Sequence, residues 1–509
     1  MVFESILFLK AEDSPKQGVS ETPEFLSDLN LDQIIDAVTK GNEEYNLKPF
    51  YYALLGDADS INYRYEIFQE LEDKQLNDTV ELFAIKMRTM REYLALSDKL
   101  YYKYQKERWF LEAVWVYCEA VSSLLHELSL KELKSRGFLA FRAYLTDYVN
   151  SAYFSSLQSE TKKLLADLSS VKYTLLIEDN NIIVRNYESL ADYSAEIEET
   201  FKKFKQGAAH DYRINFSDAP EMNHVEAGVL DLVVQLYPEV FANLNAFSEK
   251  NKNYLDKKIA DFDREIRFYV SYSEHIALFK HSGLNFCYAQ ITNTDKGIFN
   301  YQGFDLALAY KLIKENSSIV CNDYYLKDKE RIFVISGPNQ SGKTTFARSF
   351  GQLHYLANLG CPVPGKEARL FLFDNLFTHF EREENIVNLH GKLQDDLMRI
   401  HDILSKATPN SIVIMNEIFT STTVKNAVFL GKKILERIIQ LDLLCVCVTF
   451  LDELTSLGDT IVSMVGEANP DNPASRTYKI VRKPANGLAY ALSIADKYRL
   501  TYDDLKKRL

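Results

Sequence analysis

Ile335-Ser336-Gly337-Pro338-Asn339-Gln340-Ser341-Gly342-Lys343-Thr344-Thr345 has the form GxxxxGK[ST]. The apolar run before it, Arg331-Ile332-Phe333-Val334-Ile335, reads as a buried strand. Phe346-Ala347-Arg348-Ser349-Phe350 after it reads as the start of a helix. That strand–loop–helix order is the setting a phosphate-binding loop requires. Gly337 and Gly342 permit the tight backbone path, so that successive N–H groups converge as an anion nest at a helix N-terminus. Lys343 supplies a point charge for β- and γ-phosphates, and Thr344 a hydroxyl for Mg²⁺. The bland alternative is a glycine turn before an ordinary helix, and with every fixed position present and the flanks correct it falls well behind.

About seventy residues on, Ser411-Ile412-Val413-Ile414-Met415 is a second apolar run with the character of a central parallel strand, ending in Asn416-Glu417. An oxygen-bearing side chain at the end of such a strand lies beside the phosphate loop and can hold Mg²⁺ or its waters. A following Glu can accept a proton from an attacking water. Acidic residues at strand ends are common, so this signal is weaker than the loop itself.

These residues resemble the DNA mismatch repair MutS family. Gly337-Pro338-Asn339 before Ser341-Gly342-Lys343-Thr344-Thr345 resembles its GPNMGGKST loop. Val320-Cys321-Asn322-Asp323 resembles the V-P-N-D lead-in, and Gly360-Cys361-Pro362-Val363-Pro364 the G-x-x-V-P turn. Asn416-Glu417-Ile418-Phe419-Thr420-Ser421-Thr422-Thr423 resembles the D-E-I-G-R-G-T-S element, and Gly487-Leu488-Ala489-Tyr490-Ala491-Leu492 the S-Y-G-x-x-V-A element. The resemblance covers about residues 300–509. It implies an α/β P-loop, ABC-type ATPase domain with a parallel-rich sheet over 301–509. A mostly helical core, lever and clamp-like domain would fill 1–300. It also implies a homodimer with ATP and Mg²⁺ between two such domains, and DNA as partner. In the roles it implies, Glu417 and Lys343 are catalytic. Gly337, Pro338, Asn339, Gln340, Ser341, Gly342, Lys343, Thr344 and Thr345 hold the nucleotide, and Thr344 and Asn416 hold the metal.

Departures cluster at the same site. The family's acidic metal residue is Asn416, its signature Ser aligns with Gly391 (flanked by His390 and Lys392), and its switch His is Phe450. Phe419 and Ser421 stand where it has glycines. Hydrolysis is therefore expected to be slow, while nucleotide binding, which rests on residues 337–345, is expected to persist.

The chain has 509 residues, room for several domains. No stretch approaches twenty uncharged apolar residues, so no membrane span is expected. Met1-Val2-Phe3-Glu4-Ser5-Ile6-Leu7-Phe8-Leu9-Lys10 lacks a basic start and is short for a signal peptide. The 6 cysteines are scattered, and Cys445-x-Cys447 lies in an apolar run that reads as a buried strand. A reduced, cytoplasmic protein fits. Net charge is −13, carried by the first 300 residues, the rest being close to neutral. DNA affinity depends on phosphate contacts from basic groups, so any DNA surface here is a local patch. Candidates are Lys99, Lys103, Lys106 and Arg108 among Tyr101, Tyr102 and Tyr104, and the group Lys202, Lys203 and Lys205. A solvated helix face explains each as well.

From about 30 to 168 the pattern is helical, with Leu111, Val114, Cys118, Val121 and Leu125 at three- and four-residue steps. Trp109 and Trp115 read as core or interface aromatics. A hairpin is expected over residues 171–185, turning at Asp179-Asn180, and helices over 188–280 with a long one within Phe241–Phe279. Little room remains for the family's mismatch-reading and connector domains, and no F-x-E stands in a basic aromatic module, so a mismatch wedge is expected to be absent. The fullest reading is a MutS-like DNA-clamping ATPase for mismatched, branched or distorted DNA. The alternatives are a nucleotide-gated assembly protein acting on a protein partner, and a related ABC-type ATPase whose acidic arms never touch DNA.

Overall fold

The computed structural model describes residues 3–13, 23–179, 181–188, 222–381, 391–468, 476–485 and 506. Lys202, Lys203, Lys205, His390 and the element Gly487–Leu492 lie outside these. The chain divides into two compact units, one of residues 1–74, 134–139 and 264–509, the other of 75–133 and 140–263. No helix among the described residues is long and apolar enough to cross a membrane.

In the first unit a sheet runs in the spatial order Leu376–His379, Ile412–Asn416, Leu444–Val448, Ile332–Ser336, Ile461–Ala468, Arg476–Arg482. Every neighbouring pair is parallel except the last, which is antiparallel. Strands Ile332–Ser336, Ile412–Asn416 and Leu444–Val448 are buried along their whole length. Continuous rather than alternating apolar runs are what a parallel sheet covered on both faces demands. Cys445 and Cys447 sit inside the third of them. A second, smaller sheet joins Gln290–Thr292, Glu367–Phe371, Ile298–Gly303 and Asn322–Leu326.

The division differs from a boundary at residue 300, because residues 3–71 build onto the half that carries the loop at 337–345. Arg348 donates through Nε to the Asp28 carbonyl (2.9 Å), and Gln352 through Nε2 to that of Leu29 (2.8 Å). The Tyr355 hydroxyl donates to the Tyr51 carbonyl, and the Leu55 N–H to that of Asn358 (3.0 Å). Arg64 is fully buried. Its Nε donates to the Leu7 carbonyl (3.0 Å) and its Nη1 to that of Leu359 (2.7 Å), with the guanidinium 5.1 Å from the ring centres of Phe8 and Phe268. Helical periodicity in the sequence carries no sign of which distant segment a helix packs on.

The second unit is helical, with helices Lys103–Ser129, Ala152–Ser170 and Pro238–Lys250 packed together. Leu111, Val114, Cys118 and Val121 are buried as their spacing predicts, but Leu125 is only half-buried, and Leu124 and Leu128 continue the stripe. Trp109 is half-buried, its ring 5.0 Å from that of Tyr93. Strands Tyr173–Glu178 and Asn181–Asn186 pair antiparallel, with Asp179 at φ 53° in the turn between them. The long helix expected within Phe241–Phe279 begins only at Lys257, after a break at residues 251–256. The buried Asn251 side chain donates to the Phe247 carbonyl, and Asp256 Oδ1 accepts the Ile259 N–H at 3.0 Å. Asx residues that cap backbone in this way stop one helix and start the next.

Candidate functional site

The carboxyl ends of the central strands carry the site, the usual place for a ligand in an open α/β sheet. Strand Ile332–Ser336 feeds the loop, and helix Lys343–Asn358 leaves it. Gly337 sits at φ 130° and Gly342, the residue capping the helix, at φ 94°. A side chain at Gly337 would also press on the Gly466 backbone, its Cβ 3.1 Å from that nitrogen. Gln340 takes φ 60°, and Asn339 and Gln340 are exposed at the loop tip while Ser341 is buried.

Lys343 is 4% exposed. Its ammonium is turned back onto its own loop, donating to the carbonyls of Gly337 (3.0 Å) and Pro338 (2.9 Å). The Phe450 ring centre lies 4.3 Å from Nζ. Burial lowers the Lys343 pKa, with Glu417 opposing that shift. Thr344 and Asn416 meet: the Thr344 hydroxyl donates to Asn416 Oδ1 at 2.9 Å. They are neighbours although 72 positions apart in sequence.

Glu417 follows directly in a left-handed conformation, φ 57°, its N–H donating to the Val448 carbonyl at 2.9 Å. Such a backbone at a non-glycine residue is held by its surroundings and recurs at functional sites. The carboxyl is half-buried, and burial raises its pKa; Lys343 pulls it back and Glu381 pushes it up. Phe419, which stands where the MutS family has a glycine, is also left-handed, φ 62°, and buried. Gly391 precedes helix Lys392–Lys406, and Lys392 is engaged by Glu381, which also accepts from the Thr420 hydroxyl at 3.2 Å.

Beside the loop lies a cavity of about 520 Å³. Residues 340–345 and Glu417 line it, as do the apolar Phe304, Leu308, Leu312 and Val320, with Asn322 and Tyr478. Asn322 fastens that side: its Nδ2 donates to the Tyr478 carbonyl (3.2 Å), and its Oδ1 accepts the Ile480 N–H (2.8 Å). The structure thus brings Lys343, Thr344, Asn416 and Glu417 to one place. Sequence reasoning missed the apolar lining residues Phe304, Leu308 and Leu312, as well as Tyr478 and Glu381. Val320 and Asn322 did carry a signal, in the Val320–Asp323 lead-in.

The basic patch is partly neutralised. Lys103 Nζ lies 3.8 Å from Glu107, and Arg108 is paired with Glu112 at 2.6 Å. Tyr104 packs on Phe241, whereas Tyr101 is 88% exposed.

Residues 333–499 match the family model for MutS domain V. The chain is 26% identical over 300 residues to the DNA mismatch repair protein MutS of Rickettsia bellii strain OSU 85-389, covering 57% of this chain and 32% of that protein. The MutS of Rickettsia rickettsii strain Sheila Smith is 24% identical over 326 residues, covering 63% and 35%. That of Orientia tsutsugamushi strain Boryong is 29% identical over 219 residues, covering 42% and 24%. Each match spans about a third or less of the relative's length. Residues 333–499 are thus similar to MutS domain V, and the chain as a whole to part of DNA mismatch repair proteins.

Proposed function

We propose that the chain is a Mg²⁺-dependent, DNA-engaging ATPase that works slowly and as a homodimer in the cytoplasm. The observation that carries this reading is the meeting of Thr344 and Asn416 at 2.9 Å, with Thr344, Lys343 and Glu417 lining one cavity. Two uncharged oxygen donors at that spot fit a hard cation that keeps several waters and takes its other ligands from phosphate. Bound there, Mg²⁺ would offset charge on the β- and γ-phosphate oxygens. The remaining roles belong to side chains. The backbone N–H groups of residues 337–345 cradle the phosphates in a P-loop, ABC-type domain. Lys343 meets the phosphate oxygens, and Glu417 takes the proton of the attacking water. With Asn416 neutral the cation is held less strongly than by a carboxylate, which is one physical source of slow turnover.

DNA is the partner suggested by the relatives, which are DNA mismatch repair proteins. The acidic excess of the chain and the glutamates beside Lys103 and Arg108 favour a second reading, an ATP-gated assembly protein with a protein partner. ATP hydrolysis measured alone and with duplex, mismatched and branched DNA separates the two. Stimulation by DNA supports the first, and indifference to every DNA supports the second. Lys343→Ala removes a charge-assisted contact of roughly 1.5–3 kcal/mol and is expected to weaken ATP binding about tenfold or more. Unchanged affinity in a calorimetric titration would refute the nucleotide site.

A further inference from the structure

Lys343 has three N–H donors and no acceptor. Two oxygens within hydrogen-bond range, those of Gly337 and Pro338, occupy it on one side. The face of Phe450 occupies it on another, 4.3 Å from Nζ to ring centre. An ammonium at that distance from an aromatic face is attracted to the ring quadrupole, more strongly when desolvated, and Lys343 is only 4% exposed. Burial also lowers its pKa, the sign of a cation short of solvation. A phosphate oxygen has to approach Nζ to about 2.8 Å. One of the present interactions must then yield. The two carbonyls belong to the loop that forms the cradle. Phe450 instead follows the buried strand Leu444–Val448 and is 47% exposed, with room to leave. Its neighbour Thr449 is fixed, the N–H donating to the Ile335 carbonyl at 3.0 Å, so the motion falls to the Phe450 side chain.

We propose that Phe450 is a cation–π latch on Lys343: its ring holds the ammonium away from the phosphate cradle, and polyphosphate must displace the ring to bind. The latch is a positioning device that acts through Lys343, and it rests on the nucleotide reading of this site. It sets selectivity by phosphate number. ATP and ADP, whose β-phosphate reaches Lys343, work against the latch, whereas AMP does not meet it.

The test is calorimetric titration of the full chain with ATP, ADP and AMP, in the parent and in Phe450→Leu, Phe450→Tyr and Phe450→Trp. Phe450→Leu keeps the apolar bulk and removes the quadrupole. ATP and ADP should bind it roughly three- to thirtyfold more tightly, the range spanned by partly exposed to desolvated cation–π pairs. AMP affinity should not change. Phe450→Tyr and Phe450→Trp should stay near the parent, because both keep an aromatic face. The latch is overturned if Phe450→Leu binds ATP no tighter than the parent. It is equally overturned if AMP tightens in step with ATP, which is general loosening, or if Phe450→Tyr behaves like Phe450→Leu. A parent that binds none of the three overturns the nucleotide reading itself, a result distinct from failure of the latch alone. Thermal unfolding of each variant identifies any that are misfolded, and if Phe450→Leu is one of them, Phe450→Met, which also lacks the ring face, takes its place with the same expected and overturning results.

Discussion

At Glu417 the chain leaves its strand with φ at 57°, placing a carboxylate on the cavity wall that Lys343 also lines. Burial lifts the carboxyl above the usual glutamate range, with the lysine opposing. A general base works as its carboxylate, so turnover should be lost as pH falls. The loss should be centred above the pH at which an unperturbed glutamate near 4.3 protonates. Glu417→Gln should lower kcat by about a hundredfold or more while leaving ATP affinity near the parent's. A pH–rate profile together with calorimetry checks both, and parental turnover in Glu417→Gln would remove Glu417 from the role of base. At this scale much was legible, because a phosphate loop is contiguous and its glycines answer to backbone geometry. What the sequence could not announce was the resting position of Lys343, since its partners are carbonyls that every residue possesses.

Among elements, the segment at residues 3–8 and the end of helix Lys343–Asn358 are joined through the single buried side chain of Arg64. Arg64→Leu would leave the carbonyls of Leu7 and Leu359 without these donors in a dry place. The expected loss is about 2–4 kcal/mol, read as a lower urea midpoint for unfolding, and a loss below about 0.5 kcal/mol would contradict the role. The sheet strands were legible because continuous apolar runs such as Ile332–Ile335 and Leu443–Val448 have few other homes. The break at residues 251–256 was not, because it depends on Asn251 and Asp256 capping backbone, and Asn and Asp are also tolerated on a helix surface.

For the molecule as a whole, the two units do not follow the composition boundary at 300. Pairings such as Arg64 with Leu359, 295 positions apart, leave no local mark on the sequence. The helical unit carries Lys99, Lys103 and Lys106, so its affinity for plain duplex DNA should be weak and steeply salt-dependent. Lys99→Glu with Lys103→Glu and Lys106→Glu should weaken DNA binding further and flatten the salt slope. Every phosphate that is no longer neutralised takes about 0.9 off that slope. A triple variant with the parental slope, measured by fluorescence anisotropy across a salt series, would show that DNA does not use this patch.

The embrace of residues 343–372 by residues 3–71 also sets an order of events on the ribosome. Ile6, Leu7, Phe8, Leu26 and Leu29 are buried in the finished protein. The partners of Asp28 and Leu29 on helix Lys343–Asn358, Arg348 and Gln352, are synthesised roughly three hundred residues later. At roughly 5–20 residues per second the early segment waits some tens of seconds with an apolar face to cover. A gene fragment that starts near residue 301 inherits the converse defect. It carries the phosphate loop intact, yet the carbonyls of Asn358, Leu359 and Pro362 lose the donors supplied by Leu55, Arg64 and Tyr272. Isolating the half that carries this loop therefore calls for splicing the two ends of the unit together rather than cutting the chain once.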